Sequence, residues 1–303
     1  MAGAFVAVAD DATATWWNPA GLASAHLFEA VIEFQTAQEP RTDRDPAGLA
    51  VPAWRARNGG LAVAFPALGF SYYRLQVSEI RSSPSSTAVS AVGRQDQGPV
   101  SALERSLVVN EFGATVGQSL GEHVVVGTTL RLLYGNVASA LSDAATASLD
   151  RASDLSGPGE THPGIDVGVM STFGLVRVGF AMRNLTEPSF GEGADQVVLN
   201  RQARIGMAAV GTRATLAVDA DLTRTPTPIG DARHFAIGGE LPLINSRLTV
   251  RVGASANTID DLRTAVSGGV SVGLSSHMYL EGEVTGGSDR ARSGWGIDFR
   301  VTY

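Results

Sequence analysis

The last nine residues, "WGIDFRVTY" (295–303), alternate without a break. Trp295, Ile297, Phe299, Val301 and Tyr303 fall on one side, and Asp298 and Arg300 fall on the other. A period of two is the signature of a β-strand with one apolar and one polar face. What decides the fold is which face lies inside.

The pattern recurs along the whole chain. In "HLFEAVIEF" (26–34), Phe28, Ala30, Ile32 and Phe34 oppose Glu29 and Glu33. In "HVVVGTTLRLLYG" (123–135), Val124, Val126, Leu130, Leu132 and Tyr134 oppose Gly127, Thr129 and Arg131. Val176, Val178, Phe180 and Met182 oppose Arg177, Gly179 and Arg183; Leu216 and Val218 oppose Asp219 and Asp221; Val250 and Val252 oppose Arg251. The connectors alternate in length. Short ones fall near 55–58, 120–122, 173–174, 211–212, 242–245 and 275–277. Longer Ser/Asp/Pro/Gly-rich ones fall at 37–46, 80–103, 138–162, 187–195, 224–231, 257–262 and 286–292. With 59–79 taken as one long strand bent at Pro66, this gives about 14 strands. Short turns on one side, long loops on the other and an even count are the marks of a transmembrane barrel. A soluble sandwich also alternates, but its connectors need not, and so many strands seldom stay in one sheet. The expected fold is all-β: a transmembrane antiparallel up-and-down barrel of about 14 strands. In lipid, closure lets every strand satisfy its backbone hydrogen bonds.

Composition agrees. The 303 residues carry 17% charged side chains, 35 glycines and a net charge of −7. An acidic balance argues against nucleic acid as a partner. All 23 basic side chains are arginine, and cysteine is absent, which removes disulfides and thiol chemistry. Met1 is followed at once by Ala-Gly without a basic start or apolar core, so an exported form is expected to lack its signal peptide here.

One segment fits no strand: "AGAFVAVADDATATWWNPAGLASA" (2–25), with two adjacent tryptophans and a turn-like Asn-Pro-Ala-Gly. A barrel of about 14 strands encloses more lumen than its own side chains fill. Residues 1–25 are therefore expected to fold into it as a plug, or hatch, with 26–303 forming the barrel. Trp16 and Trp17 supply bulk, Asn18 bonds local backbone, and Pro19 directs the chain toward the first strand.

"GAFVAVADDATATWWNPAGLA" (3–23) resembles the N-terminal signature of the outer-membrane barrels grouped around the FadL/TodX transporters of long-chain fatty acids and aromatic hydrocarbons. It is also similar to the PorV/PorQ-like branch, which includes the PorV component of type IX secretion. Asn18, Pro19 and Ala20 match the hatch motif of that group, and 165–185, 203–222 and 234–255 fit its later hairpins. The resemblance implies a 14-stranded outer-membrane barrel with a luminal N-terminus. In the FadL branch the implied activity is passive transport of small hydrophobic molecules, gated by the hatch. In the PorV branch it is a non-channel scaffold or shuttle that docks secreted or surface proteins, here through loops 81–103 and 138–162. The chain is short for the FadL branch, and those loops are fairly polar.

The candidate gate residues are Asp10, Asp11, Trp16, Trp17, Asn18, Pro19 and Ala20. The candidate lumen-lining charges are Glu29, Glu33, Glu111, Arg131, Asp166, Arg177, Arg183, Arg204, Asp219, Asp221, Glu240, Arg251, Glu281, Asp298 and Arg300. In a narrow barrel such charges pair with one another or hold the plug; a selectivity lining is the alternative. Asp10 and Asp11 are read as bonding hatch backbone rather than a cation. The five histidines are scattered and read as solvated or interfacial; no metal spacing, phosphate loop or G-x-S-x-G nucleophile motif is present. The expectation is a non-enzyme without cofactor, in contact with outer-membrane lipid.

Overall fold

In a computed structural model of the chain, all residues are described except 25–26, 40–52, 83–100, 145, 228–229, 245–246, 260–261 and 290–291. Fourteen strands form one closed antiparallel barrel in chain order. They are β1 (Glu29–Glu39), β2 (Ala53–Phe65), β3 (Leu68–Ser82), β4 (Ser101–Leu120), β5 (Val124–Asp143), β6 (Gly159–Phe173) and β7 (Val176–Arg183). The ring continues through β8 (Gln202–Val210), β9 (Thr215–Asp221), β10 (His234–Leu243), β11 (Leu248–Asn257), β12 (Thr264–Gly273), β13 (Met278–Gly287) and β14 (Gly294–Thr302). It closes where β1 pairs with β14, from Glu29 opposite Thr302 to Ala37 opposite Gly294. Backbone bonds between Phe28 and Tyr303 in both directions, at 2.8 and 3.2 Å, bring the two ends together on the short-turn side.

The faces are inverted relative to a soluble core. Ile32, Phe112, Leu130, Leu216, Val284 and Trp295 are exposed on the outside, while Glu29, Glu111, Arg131, Asp166 and Asp219 are buried inside. Such a continuous apolar exterior is stable only where the surroundings are themselves apolar. On β4 the exposed outward positions run from Phe112 to Leu120, about 26 Å of strand at ~3.3 Å per residue. A tilt of roughly 40–45° reduces this to ~19 Å, which fits within the ~25 Å apolar band of outer-membrane barrels. No described helix is long and apolar enough to cross a membrane.

Two sequence-based boundaries are corrected. Residues 55–58 lie inside β2 and are not a turn, and 59–79 is not one bent strand: it is cut by the tight turn at Pro66–Ala67 between β2 and β3. The turn is disguised because its left-handed position is taken by Ala67 (φ 65°) rather than by Gly or Asn. Asn58-Gly59-Gly60 imitates a turn for a packing reason: a Cβ on Gly60 would overlap the Tyr73 ring on β3. The loop expected over 138–162 is shorter, since β5 runs to Asp143 and β6 starts at Gly159. Between them a short helix, α1 (Leu149–Asp154), lies against Ala53, Ile80 and Ala102 and covers the outward face of β2–β4 above the apolar band. Most of the loop expected at 81–103 lies outside the described residues.

Candidate functional site

Residues 1–24 form one helical turn (Ala14–Trp17) and a 3-10 turn (Pro19–Ser24), and bond to strands on opposite sides of the ring. Asn18 ends the helix, and Pro19, with no N–H to donate, prevents its continuation. The Ala2 N–H donates to Ser267 on β12 at 2.8 Å, and the Ala12 N–H to Glu29 on β1 at 3.0 Å. The Phe5 and Val6 N–H groups both donate to one carboxylate oxygen of Asp219 on β9, at 2.8 and 2.9 Å. Arg204 on β8 donates to the Gly3 carbonyl, and Arg292 to that of Ala2, at 3.1 and 2.8 Å. Trp16 packs against the Tyr73 ring at 5.0 Å, and the Arg183 guanidinium stacks on it at 3.5 Å. Trp17 lies against Phe5 at 5.7 Å.

Asn18, Pro19 and Ala20 are almost completely enclosed. The Asn18 amide donates to the Val6 carbonyl at 2.8 Å, and its Oδ1 accepts from the Ala20 N–H at 3.2 Å. Beneath them Gly117, Gly127 and Gly168 are directly opposite one another on β4, β5 and β6. A Cβ on Gly168 would overlap Asn18, one on Gly127 would overlap Pro19, and one on Gly117 would meet the Ala23 nitrogen at 2.9 Å. This glycine row is not among the residues read from the sequence. Its signal, three glycines at inward strand positions, becomes legible only once the register is known.

Asp10 pairs with Arg177 on β7 at 3.1 Å. Asp11 accepts from the backbone N–H and hydroxyl of Thr13, at 2.9 and 2.5 Å. Burial pushes the Asp11 carboxyl above the ordinary aspartate range, against the opposing pull of the Thr13 bond and Arg300.

The strand charges gather into networks. Arg131 holds Glu111 at 2.7 Å and Asp166 at 2.8 Å and donates to Asn184; Arg183 lies 3.7 Å from Asp166. Arg204 pairs with Asp221 at 2.6 Å. Arg251 bridges Glu240 (2.6 Å) and Glu281; Arg300 bridges Glu281 (3.0 Å) and Glu29 (3.5 Å). Glu33 and Asp298 are directly opposite on β1 and β14, and neither has an ion-pair partner among the described residues. His234 differs from its expected solvated setting: it is largely buried between Asp221 (3.5 Å) and Asp289 (3.1 Å). Among the described residues no group of three or more His, Asp or Glu could hold a metal ion.

Three cavities follow one another along the interior. One of about 500 Å³ lies at the long-loop end, lined by aliphatic side chains such as Leu75, Leu107 and Val197 together with the charged Glu79, Arg81 and Arg105. It shares Gln202, Thr225 and Thr227 with a second of about 290 Å³, which reaches Val6, Trp16, Trp17 and Arg183. The second shares Trp17 and Arg292 with a third of about 210 Å³, bounded by Phe5, Asp11, Glu33, Glu283 and Asp298.

The family model described as "F plasmid transfer operon, TraF, protein" matches residues 20–221, about two thirds of the chain. The chain belongs to this TraF family. No curated protein matches it by sequence. Among solved structures, the TraF-family barrel is similar to the CymD monoaromatic hydrocarbon channel, with 12% identity over 98% of this chain and 94% of that one (TM-score 0.64). The Ralstonia pickettii toluene transporter TbuX gives 13% identity over 96% and 94% (TM-score 0.61), and a Pseudomonas aeruginosa FadL homologue 12% over 98% and 94% (TM-score 0.59). At such identity the likeness is one of fold, and the fold is that of the FadL-type barrels.

Proposed function

We propose that this TraF-family barrel passes small hydrophobic molecules across the outer membrane, with residues 1–25 as a hatch that closes the lumen. The observation that carries the reading is the run of cavities: it begins in a chamber at the long-loop end and meets Trp16, Trp17 and Phe5. That chamber of about 500 Å³ sets an aliphatic surface (Leu75, Leu107, Leu199) beside the charged Glu79, Arg81 and Arg105. Its size suits a small solute, since ligand pockets of ~300–1,000 Å³ bury most of a drug-sized ligand, and the aliphatic surface offers apolar contact. The wall charges serve two tasks in this reading. Asp219, Glu29 and Arg204 hold hatch backbone, Arg177 pairs with Asp10 of the hatch, and pairs such as Arg131 with Glu111 and Asp166 brace neighbouring strands.

The test is entry of labelled toluene into liposomes carrying the full-length protein, with Leu107→Glu in the upper chamber as the comparison. Entry above protein-free liposomes, lowered several-fold in the variant, upholds transport; equal entry in all three sinks it.

The family's description as a transfer-operon protein favours a second reading, a scaffold that docks a secreted or surface protein through loops 81–103 and 138–162. A stoichiometric protein partner co-purifying from the native membrane, released by deleting residues 144–158, would replace the transport reading if toluene entry also failed.

A further inference from the structure

The outward face carries an imbalance that transport does not explain. Among the described outward-facing strand positions, charge is confined to Arg55, Arg57, Arg74 and Glu104, all on β2–β4. Two of the four are tied to α1 and its approach: Arg55 pairs with Asp150 at 2.7 Å, and Glu104 accepts from the Ser148 N–H at 2.8 Å. Arg57 and Arg74 remain. Both are exposed, and among the described residues neither makes an ion pair. Asp150, whose charge also acts on Arg57, is already bonded to Arg55. Arg74 donates at 3.1 Å to the neutral amide oxygen of Asn110, which also accepts from the Tyr72 hydroxyl at 2.9 Å.

The register places the two guanidiniums together. Gly59 is opposite Arg74 and Arg57 is opposite Gln76, so the arginines are diagonal neighbours with Cα atoms about 7–8 Å apart. Their depth is set by α1. Gln76, opposite Arg57 and two residues beyond Arg74 on β3, donates to the Ser153 carbonyl of α1 at 2.8 Å, so both arginines lie where the polar cover of α1 meets the apolar wall. Directly below, toward the short turns, a shallow groove runs on the lipid-facing side between Phe70, Phe112, Leu130 and Leu132, with the small Ala114 as its floor. Two uncompensated cations at headgroup depth above an apolar groove match one kind of molecule: a lipid whose headgroup carries a phosphate.

We propose that the β2–β4 face binds a phosphorylated lipid of the leaflet on the long-loop side. Its phosphate lies between Arg57 and Arg74, and one acyl chain lies along Ala114. The guanidiniums supply paired N–H donors to the phosphate oxygens, and the groove contributes apolar contact that inorganic phosphate cannot use.

The experiment is native mass spectrometry of the full-length protein in detergent with added lipid A, beside its dephosphorylated form. The expected result is retention of lipid A, at least tenfold weaker for the dephosphorylated lipid and for Arg57→Gln/Arg74→Gln, with millimolar inorganic phosphate failing to displace it. Ala114→Phe fills the groove without touching the arginines and should also weaken retention. Heat-modifiable migration on gels checks that each variant is folded. Equal retention of the two lipids, or no loss in the folded double variant, overturns the proposal. Displacement by inorganic phosphate overturns the part assigned to the groove.

Discussion

The side chain of Asn18 fills the space that a Cβ on Gly168 would need: the added atom would lie 2.0 Å from the Asn18 Oδ1. The wall of β6 and the N-terminal segment are therefore fitted at the level of single atoms. Gly168→Ala should displace the Asn-Pro-Ala turn while leaving the strand paired with β5. Overpacking of this kind costs about 1–3 kcal/mol. If residues 1–25 close the lumen, the variant should leak small neutral solutes in a liposome-swelling assay with its gel migration unchanged. A folded variant as tight as the parent would remove the gate role from this contact.

Asn18→Ala attacks the same turn from the other side. It leaves the Val6 carbonyl and the Ala20 N–H without their partners in a fully buried place. Unsatisfied buried groups cost about 1–3 kcal/mol each. Faster proteolytic clipping within residues 1–24 than in the parent is the expected readout.

Asp219 anchors the far end of the segment by accepting from two consecutive backbone N–H groups. Bonds to an ionised acceptor contribute about 1.5–3 kcal/mol. Asp219→Asn keeps the shape and removes the charge, so amide exchange at Phe5 and Val6 should accelerate by at least tenfold, with strand amides unaffected. Protection left intact at both amides would mean that the carboxylate charge is not what holds them.

Much of this architecture was legible beforehand, and the reason is physical. Strand alternation such as that of Trp295, Ile297 and Phe299 is imposed locally by the pleat, and connector length reports which side of the membrane a turn faces. The Asn-Pro-Ala segment stood out because it follows no strand period, and its Trp16 and Trp17 pack against Tyr73 and Phe5. The β2–β3 turn was not legible, because Ala67 takes a conformation its residue type conceals. The glycine row under Asn18 and the carboxylates on either side of His234 were not, because both are products of register, and register is a relation between strands far apart in sequence.

Arg131 tests what the wall charges contribute to the barrel itself. It is buried between Glu111 on β4 and Asp166 on β6, and so ties three strands together across β5. Removing one member of a buried network strands the others, at roughly 3–5 kcal/mol. Arg131→Met should lower the temperature at which the folded band is lost on gels, because Glu111 and Asp166 are left with only the more distant Arg183, at 4.0 and 3.7 Å, as a cation. Arg131→Met combined with Glu111→Gln and Asp166→Asn removes the stranded charges and should recover most of the loss. If the triple variant is as unstable as the single one, the arginine acts through its packing and its bond to Asn184 instead of through charge.

Asp11 gives the N-terminal segment a pH dependence whose sign can be worked out. Burial raises its carboxyl above the ordinary value of 3.8, so the packed segment favours the protonated form. The stabilisation is complete below the unfolded value and is lost as pH rises through the packed one. The segment is therefore held more firmly in acid and loosens toward neutral pH. Asp11→Asn, which cannot ionise and still accepts from Thr13, should hold it at neutral pH as the parent does in acid. Clipping rates within residues 1–24 measured between pH 4 and pH 8 should rise for the parent and stay flatter for the variant. Parallel rises in both would place the titrating group elsewhere.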